Sequence, residues 1–88
     1  MALRPQDRFA ENLRRVRVAA GVSQEELGRR CDLHRTEISL LERAGREPRF
    51  ATLLKLCGAL STTPDALCAG TGWDHKARRF TAEEPKGD

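Results

Sequence analysis

Apolar side chains recur three and four residues apart along most of this chain, with polar residues between them. Phe9, Leu13, Val16 and Ala20 make one such stripe, which predicts an amphipathic helix from Pro5 to about Ala20. Pro5 suits a first turn, where its missing N–H has no partner to lose, and Gly21 suits the position past the end. Val22 then packs inward. Ser23, followed three residues later by Glu26, has the pattern of a capping box and opens a helix running from Gln24 to about Arg30. Asp32 and Leu33 interrupt it, because Asp favours turns over helix interiors. A third helix starts near His34 or Arg35, with Glu37 in its first turn, where the helix dipole favours an anion. Gly45 ends it and Pro48 delays the next. Phe50, Leu53, Leu56, Cys57 and Leu60 form the stripe of a fourth helix, with Leu54 off to one side. Thr63, Pro64 and Asp65 open a short fifth, which sends Leu67 inward and closes at Gly70.

Outside these stripes the chain reads as unstructured. Met1–Arg4 is expected to be frayed. Residues 71–88 mix Gly, Pro and charge, with Trp73 and Phe80 as the only large apolar residues. They are expected to form a short flexible C-terminal tail with no fold of its own. The expected fold class is all-α: a compact bundle of about five helices over residues 5–70, with a helix–turn–helix at about 23–43 and a tail at 71–88.

The third helix has two contrasting faces. At about 100° per residue, Leu33, Ile38 and Leu41 fall on one side, with Glu42 at its edge. Thr36, Ser39, Leu40 and Arg43 fall on the other, and Arg35 projects from the amino end. The outward face is polar, small and basic. It suits the major groove of B-DNA, which is wide enough for one helix. Leu40 is the exception on that face; thymine methyls or partial packing at the helix edge would each account for it.

Charge sharpens this picture. The 88 residues carry 16 Lys/Arg against 13 Asp/Glu, and the pI near 9.1 is the electrostatic footprint of a nucleic-acid binder. Residues 1–70 hold 12 of the cations and 9 of the anions, so the excess lies in the folded part. Only Lys55, Lys76 and Lys86 are lysine; arginine, with its bidentate fork, predominates. Enzymatic chemistry fails on inventory. His34 and His75 are the only histidines, and no Ser/His/Asp set, paired buried carboxylates or Gly-rich phosphate loop is present. No cofactor is implied. Cys31, Cys57 and Cys68 are odd in number, lack metal-ligand spacing and fit core positions in a reducing compartment. The polar start MALRPQDRF and the lack of a long apolar run point to a cytoplasmic protein with no membrane partner. A domain this small has a modest core, and dimerisation would help it.

Gln24-Glu25-Glu26-Leu27, then Ile38-Ser39-Leu40-Leu41-Glu42-Arg43, then Gly45, resemble in order and spacing the helix-turn-helix of the phage repressor/Cro (Xre-type) family. His34-Arg35-Thr36-Glu37-Ile38-Ser39 also resembles the recognition helix of restriction–modification controller proteins in that family. The resemblance runs from about Phe9 to Leu67. It implies a lambda repressor-like DNA-binding domain, double-stranded DNA as partner, and a homodimer reading a near-palindromic operator. It also implies a phosphate contact at Gln24, where a helix amino end attracts anions. Arg35 and Thr36 would reach base edges, with Ser39 and Leu40 one turn on. Arg43, Arg46 and Arg49 would reach phosphates, and Arg49 the minor groove near an operator centre. One residue more than in some phage repressors separates Glu42 from Pro48. The resemblance makes Arg17 and Glu42 a largely buried structural ion pair. Leu54, Ala66, Ala69 and Trp73 offer apolar area for a dimer contact through the fourth and fifth helices and the tail. The alternative is an antitoxin or accessory protein of the same fold whose main partner is a protein docked on the tail around Trp73 and Phe80. A redox sensor using the cysteines is a further rival.

Overall fold

The computed structural model describes residues 3–84 and contains five helices and one hairpin: α1 (Pro5–Ala19), α2 (Gln24–Cys31), α3 (Arg35–Glu42), α4 (Phe50–Leu60), α5 (Pro64–Leu67), β1 (Thr71–Asp74) and β2 (Arg79–Ala82). The five expected helices are present. Their stripes meet in a core whose fully buried members are Leu13, Leu27, Ile38, Leu41, Leu56 and Leu67, with Phe9, Val22, Cys31, Cys57 and Leu60 around them. Two expected stripe members lie outside it. Phe50 is 75% exposed, because it heads α4 and the stripe's first position lies past the edge of the core. Ala20 is exposed, as are Val18 and Ala19 before it, because the last turn of α1 runs past the core.

Each helix end is set locally. Met1 and Ala2 lie outside the described residues, but Arg4 is held rather than frayed. Its N–H donates to Asp7 Oδ2 at 2.8 Å and its guanidinium to Asp7 Oδ1 at 2.9 Å. Those hydrogen bonds bring the Asp7 carboxyl from 3.8 down to about 2. At α2, Ser23 Oγ accepts from the Glu26 N–H at 3.0 Å. The return half of the expected capping box is absent: the Glu26 carboxylate takes Arg29 and Arg30 instead, at 2.6 and 3.1 Å, two flexible cations within one turn.

Four helices finish alike, with one residue in the left-handed region: Gly21, Asp32, Ala44 and Ser61, at φ of 71°, 58°, 59° and 51°. In each case the following N–H reaches back to a carbonyl in the last turn: Val22 to Arg17, Leu33 to Gly28, Gly45 to Leu40 and Thr62 to Cys57. This is the Schellman closure, which glycine usually occupies. Gly45, expected to end α3, is therefore one position late, and Ala44 takes the strained site.

The expectation that residues 71–88 lack a fold is corrected for residues 71–82, while residues 85–88 lie outside the described residues. β1 and β2 pair antiparallel, Trp73 opposite Phe80, with ring centroids 4.8 Å apart in an edge-to-face arrangement. Asp74 Oδ1 accepts the N–H groups of Lys76 and Ala77, both at 3.0 Å, and so builds the turn. The buried Asn12 fastens the end of α5 and the residues that lead into β1 to α1. Its Nδ2 donates to the carbonyls of Leu67 and Ala69 at 3.0 and 2.9 Å.

Candidate nucleic-acid interface

The geometry of α2 and α3 rests on Gly28. A Cβ there would lie 2.7 Å from the Leu33 carbonyl oxygen, in the backbone that leads into α3. Only glycine lets the two helices come this close. Hydrophobic periodicity does not single this residue out, though a glycine inside an otherwise good helix costs about 1 kcal/mol against alanine and so calls for a packing reason. On the far side of the turn, His34 caps α3: its Nδ1 accepts the Thr36 N–H at 3.1 Å and lies 2.7 Å from the Thr36 hydroxyl. Ile38 and Leu41 then pin α3 to the core.

With that face buried, the opposite one is fixed. Arg35 begins the helix and is exposed, as are Thr36 and Arg43. Ser39 and Leu40 are half-buried. Leu40 leans on the turn behind it, where a Cβ on Gly45 would come within 3.1 Å of its Cδ2. Arg43 Nε donates to the Ser39 carbonyl at 3.3 Å, which aligns it along the helix end. Arg49 sits exposed at the start of α4 with no side-chain hydrogen bond to the cap. Among the described residues, Arg35, Arg43 and Arg49 form no ion pair.

Two of the expected contact residues are otherwise engaged. Arg46 Nη1 donates to both oxygens of Glu37, at 2.6 and 2.9 Å, so the loop after α3 folds back onto the first turn of that helix. Gln24 Nε2 donates to Glu42 Oε1 at 3.1 Å. Glu42 also takes Arg17 Nη2 at 3.0 Å and Arg17 Nε, while Arg17 Nη1 donates to the Val22 carbonyl at 2.8 Å. The Arg17 and Glu42 side chains are only 13% and 4% exposed. The hydrogen bond to Glu42 raises the Arg17 pKa above its ordinary value. One network thus ties α1, the amino end of α2 and the carboxyl end of α3 together. It holds the Gln24 side chain in place while the first amides of α2, which no helix satisfies internally, remain at its amino end.

The cysteines offer no competing chemistry. Cys31 and Cys57 are buried and Cys68 is partly buried; burial raises all three thiols, away from reactive thiolate. No group of His, Cys, Asp and Glu suited to a metal occurs among the described residues. No helix there is long and apolar enough to cross a membrane.

A capped helix pinned on one side, offering unpaired arginines and small polar groups on the other, and braced by a shorter helix through a glycine contact, is a DNA-binding helix-turn-helix unit. The helix-turn-helix family (HTH_3, Xre-type) matches residues 13–67, and the chain belongs to it: it is a DNA-binding transcriptional regulator by family. The control protein C.BamHI of Bacillus amyloliquefaciens is 38% identical over 60 residues, 67% of this chain and 74% of that one. The restriction-modification controller protein C.AhdI of Aeromonas hydrophila superposes with a TM-score of 0.68 at 35% identity, over 70% of this chain and 94% of that one. The P22 c2 repressor in complex with a synthetic operator gives 0.66 at 34%, again over 70% and 94%.

Proposed function

We propose that this chain is a sequence-specific regulator that acts in the cytoplasm and binds a near-palindromic operator as a homodimer, with α3 in the major groove. The observation that carries this reading is Arg35: exposed at the amino end of α3, free of any carboxylate within the described residues, and set beside Thr36. Its fork is shaped for O6 and N7 of guanine. Thr36, Ser39 and Leu40 read neighbouring base edges. Gln24, Arg43 and Arg49 anchor on phosphates, and Arg46 joins them by exchanging Glu37 for the backbone. The solved complex of the P22 c2 repressor with an operator supports this reading, as a relative at 34% identity.

One recognition helix spans too few base pairs to find a single genomic site, so two copies act about one helical turn apart. Leu54, 49% exposed on α4, belongs to the surface assigned to the dimer. Genomic footprinting tests the whole reading. A protected site with two symmetric halves about 10 base pairs apart is expected; a single asymmetric half-site bound by a monomer overturns it. Sedimentation of Leu54→Glu is expected to show monomer with the fold intact.

A further inference from the structure

The hairpin carries a charge pattern that the reading above does not use. Its tip holds Lys76, Arg78 and Arg79, all exposed, and none forms an ion pair among the described residues. The one carboxylate of the tip, Asp74, has an oxygen committed to two loop amides. The other acids among the described residues of this segment, Glu83 and Glu84, lie past the end of β2, at the hairpin's root. The hairpin is therefore basic at its tip and acidic at its base.

The turn holds these cations at the end of the hairpin. Arg78 sits at φ +61°, the left-handed position of the turn, where its N–H donates to the Asp74 carbonyl at 2.7 Å. Glycine would hold this position without strain, and arginine holds it at a cost. Immediately below the tip, Trp73 and Phe80 remain 53% and 68% exposed. The hairpin also borders the loop after α3. Thr71 and Phe80 line the same open recess of about 630 Å³ as Glu47 and Pro48, which stand between Arg46 and Arg49. The hairpin thus faces the loop that carries Arg46 and Arg49 across a recess that the amino end of α1 also lines.

We propose that the hairpin tip is a second DNA contact, in which Lys76, Arg78 and Arg79 neutralise backbone phosphates in addition to those held by the α3–α4 loop. The inference rests on DNA binding by α3 but adds a site outside the helix-turn-helix. Its role is affinity and not base reading, since flexible cations on a short loop neutralise charge without reading base edges.

The test uses the full chain and a mixed-sequence duplex of about 40 base pairs, a length several helical turns beyond one half-site. Salt titrations of binding are compared for the wild type and for Lys76→Ala/Arg78→Gly/Arg79→Ala, in which glycine keeps the turn. Each phosphate contact contributes about 0.9 to the log–log slope, so the variant's slope is expected to be shallower by about 2.7 per protomer. Emission and acrylamide quenching of Trp73, the chain's only tryptophan, verify that the hairpin is intact in the variant. An unchanged slope with an intact hairpin overturns the proposal and leaves DNA binding by α3 standing. Failure of the wild type to bind any duplex overturns both. Loss of self-association in the variant, seen by sedimentation, also overturns the proposal, because the tip is then a contact between copies of the chain.

Discussion

Ala44 and Gly28 show one methyl group made unfavourable in two ways, by a left-handed backbone at one site and by a crowding carbonyl at the other. Ala44 closes α3 in the left-handed region, where its Cβ is unfavourable. Ala44→Gly is expected to raise stability by up to about 1 kcal/mol, the relief of strain outweighing the added freedom of the unfolded chain. Gly28→Ala would drive a Cβ against the Leu33 carbonyl and is expected to cost about 1–3 kcal/mol. Thermal melts of the two variants should move in opposite directions, and a shift in the same direction would refute the account. Glu42 is the third residue whose environment decides its role. Glu42→Ala strands the Arg17 guanidinium in a nearly closed site and removes the acceptor of Gln24. A loss of ~3–5 kcal/mol is expected, and a melting temperature equal to the wild type's would show that the pair contributes nothing. None of these contacts repeats along the sequence. The pairing of residues 17 and 42 was reachable only through the family resemblance, and the left-handed sites at Asp32, Ala44 and Ser61 carry no glycine to announce them.

Elements were legible in proportion to their length. A stripe repeated over two or more turns marks α1 and α4 unmistakably, and the caps and breakers around α2 and α3 supply what their eight residues each cannot. The strands of the hairpin have four residues each, too short for an alternation to stand out, and their turn is organised by an aspartate side chain and not by glycine. The loop after α3 was hidden for another reason: its arginines were legible as cations, but their direction depends on a backbone path that periodicity does not encode. Arg46 turns to Glu37, whereas Arg35 stays free. Arg35→Ala is therefore expected to cost ~1–3 kcal/mol on the operator and to relax preference at one base pair per half-site. Glu37→Gln should free Arg46 before it meets DNA and tighten binding to mixed-sequence duplex, measured by anisotropy, with the salt slope unchanged because the same phosphates are neutralised. An operator preference untouched by Arg35→Ala would remove it from base reading. At the amino end of α1, the Asp7 carboxyl is held at about 2 by Arg4 against an ordinary 3.8. A lowered carboxyl stabilises the folded state above its unfolded value, and that stabilisation disappears as pH falls through the folded value. Stability should thus fall between about pH 4 and 2, and Asp7→Asn should flatten the melting curve's dependence on pH in that window.

At the scale of the molecule, the helices share one core while the hairpin is attached to it differently. Its aromatic pair faces largely outward, and the residues that lead into β1 are held by Asn12 and by Arg8 Nε, which donates to the Ala69 carbonyl at 3.2 Å. A two-stranded hairpin is marginal by itself; this one packs on α1 but contributes no residue to the buried core. The hairpin should therefore open as a separate cooperative unit, with the five helices still folded. In native-state hydrogen exchange, the amides of Arg78 and Glu83, which donate to the Asp74 and Gly70 carbonyls, should lose protection long before those of Leu27 and Leu41. Asn12→Ala should widen that gap, so that the chain has two lifetimes: a long one for its helical body and a short one for its hairpin.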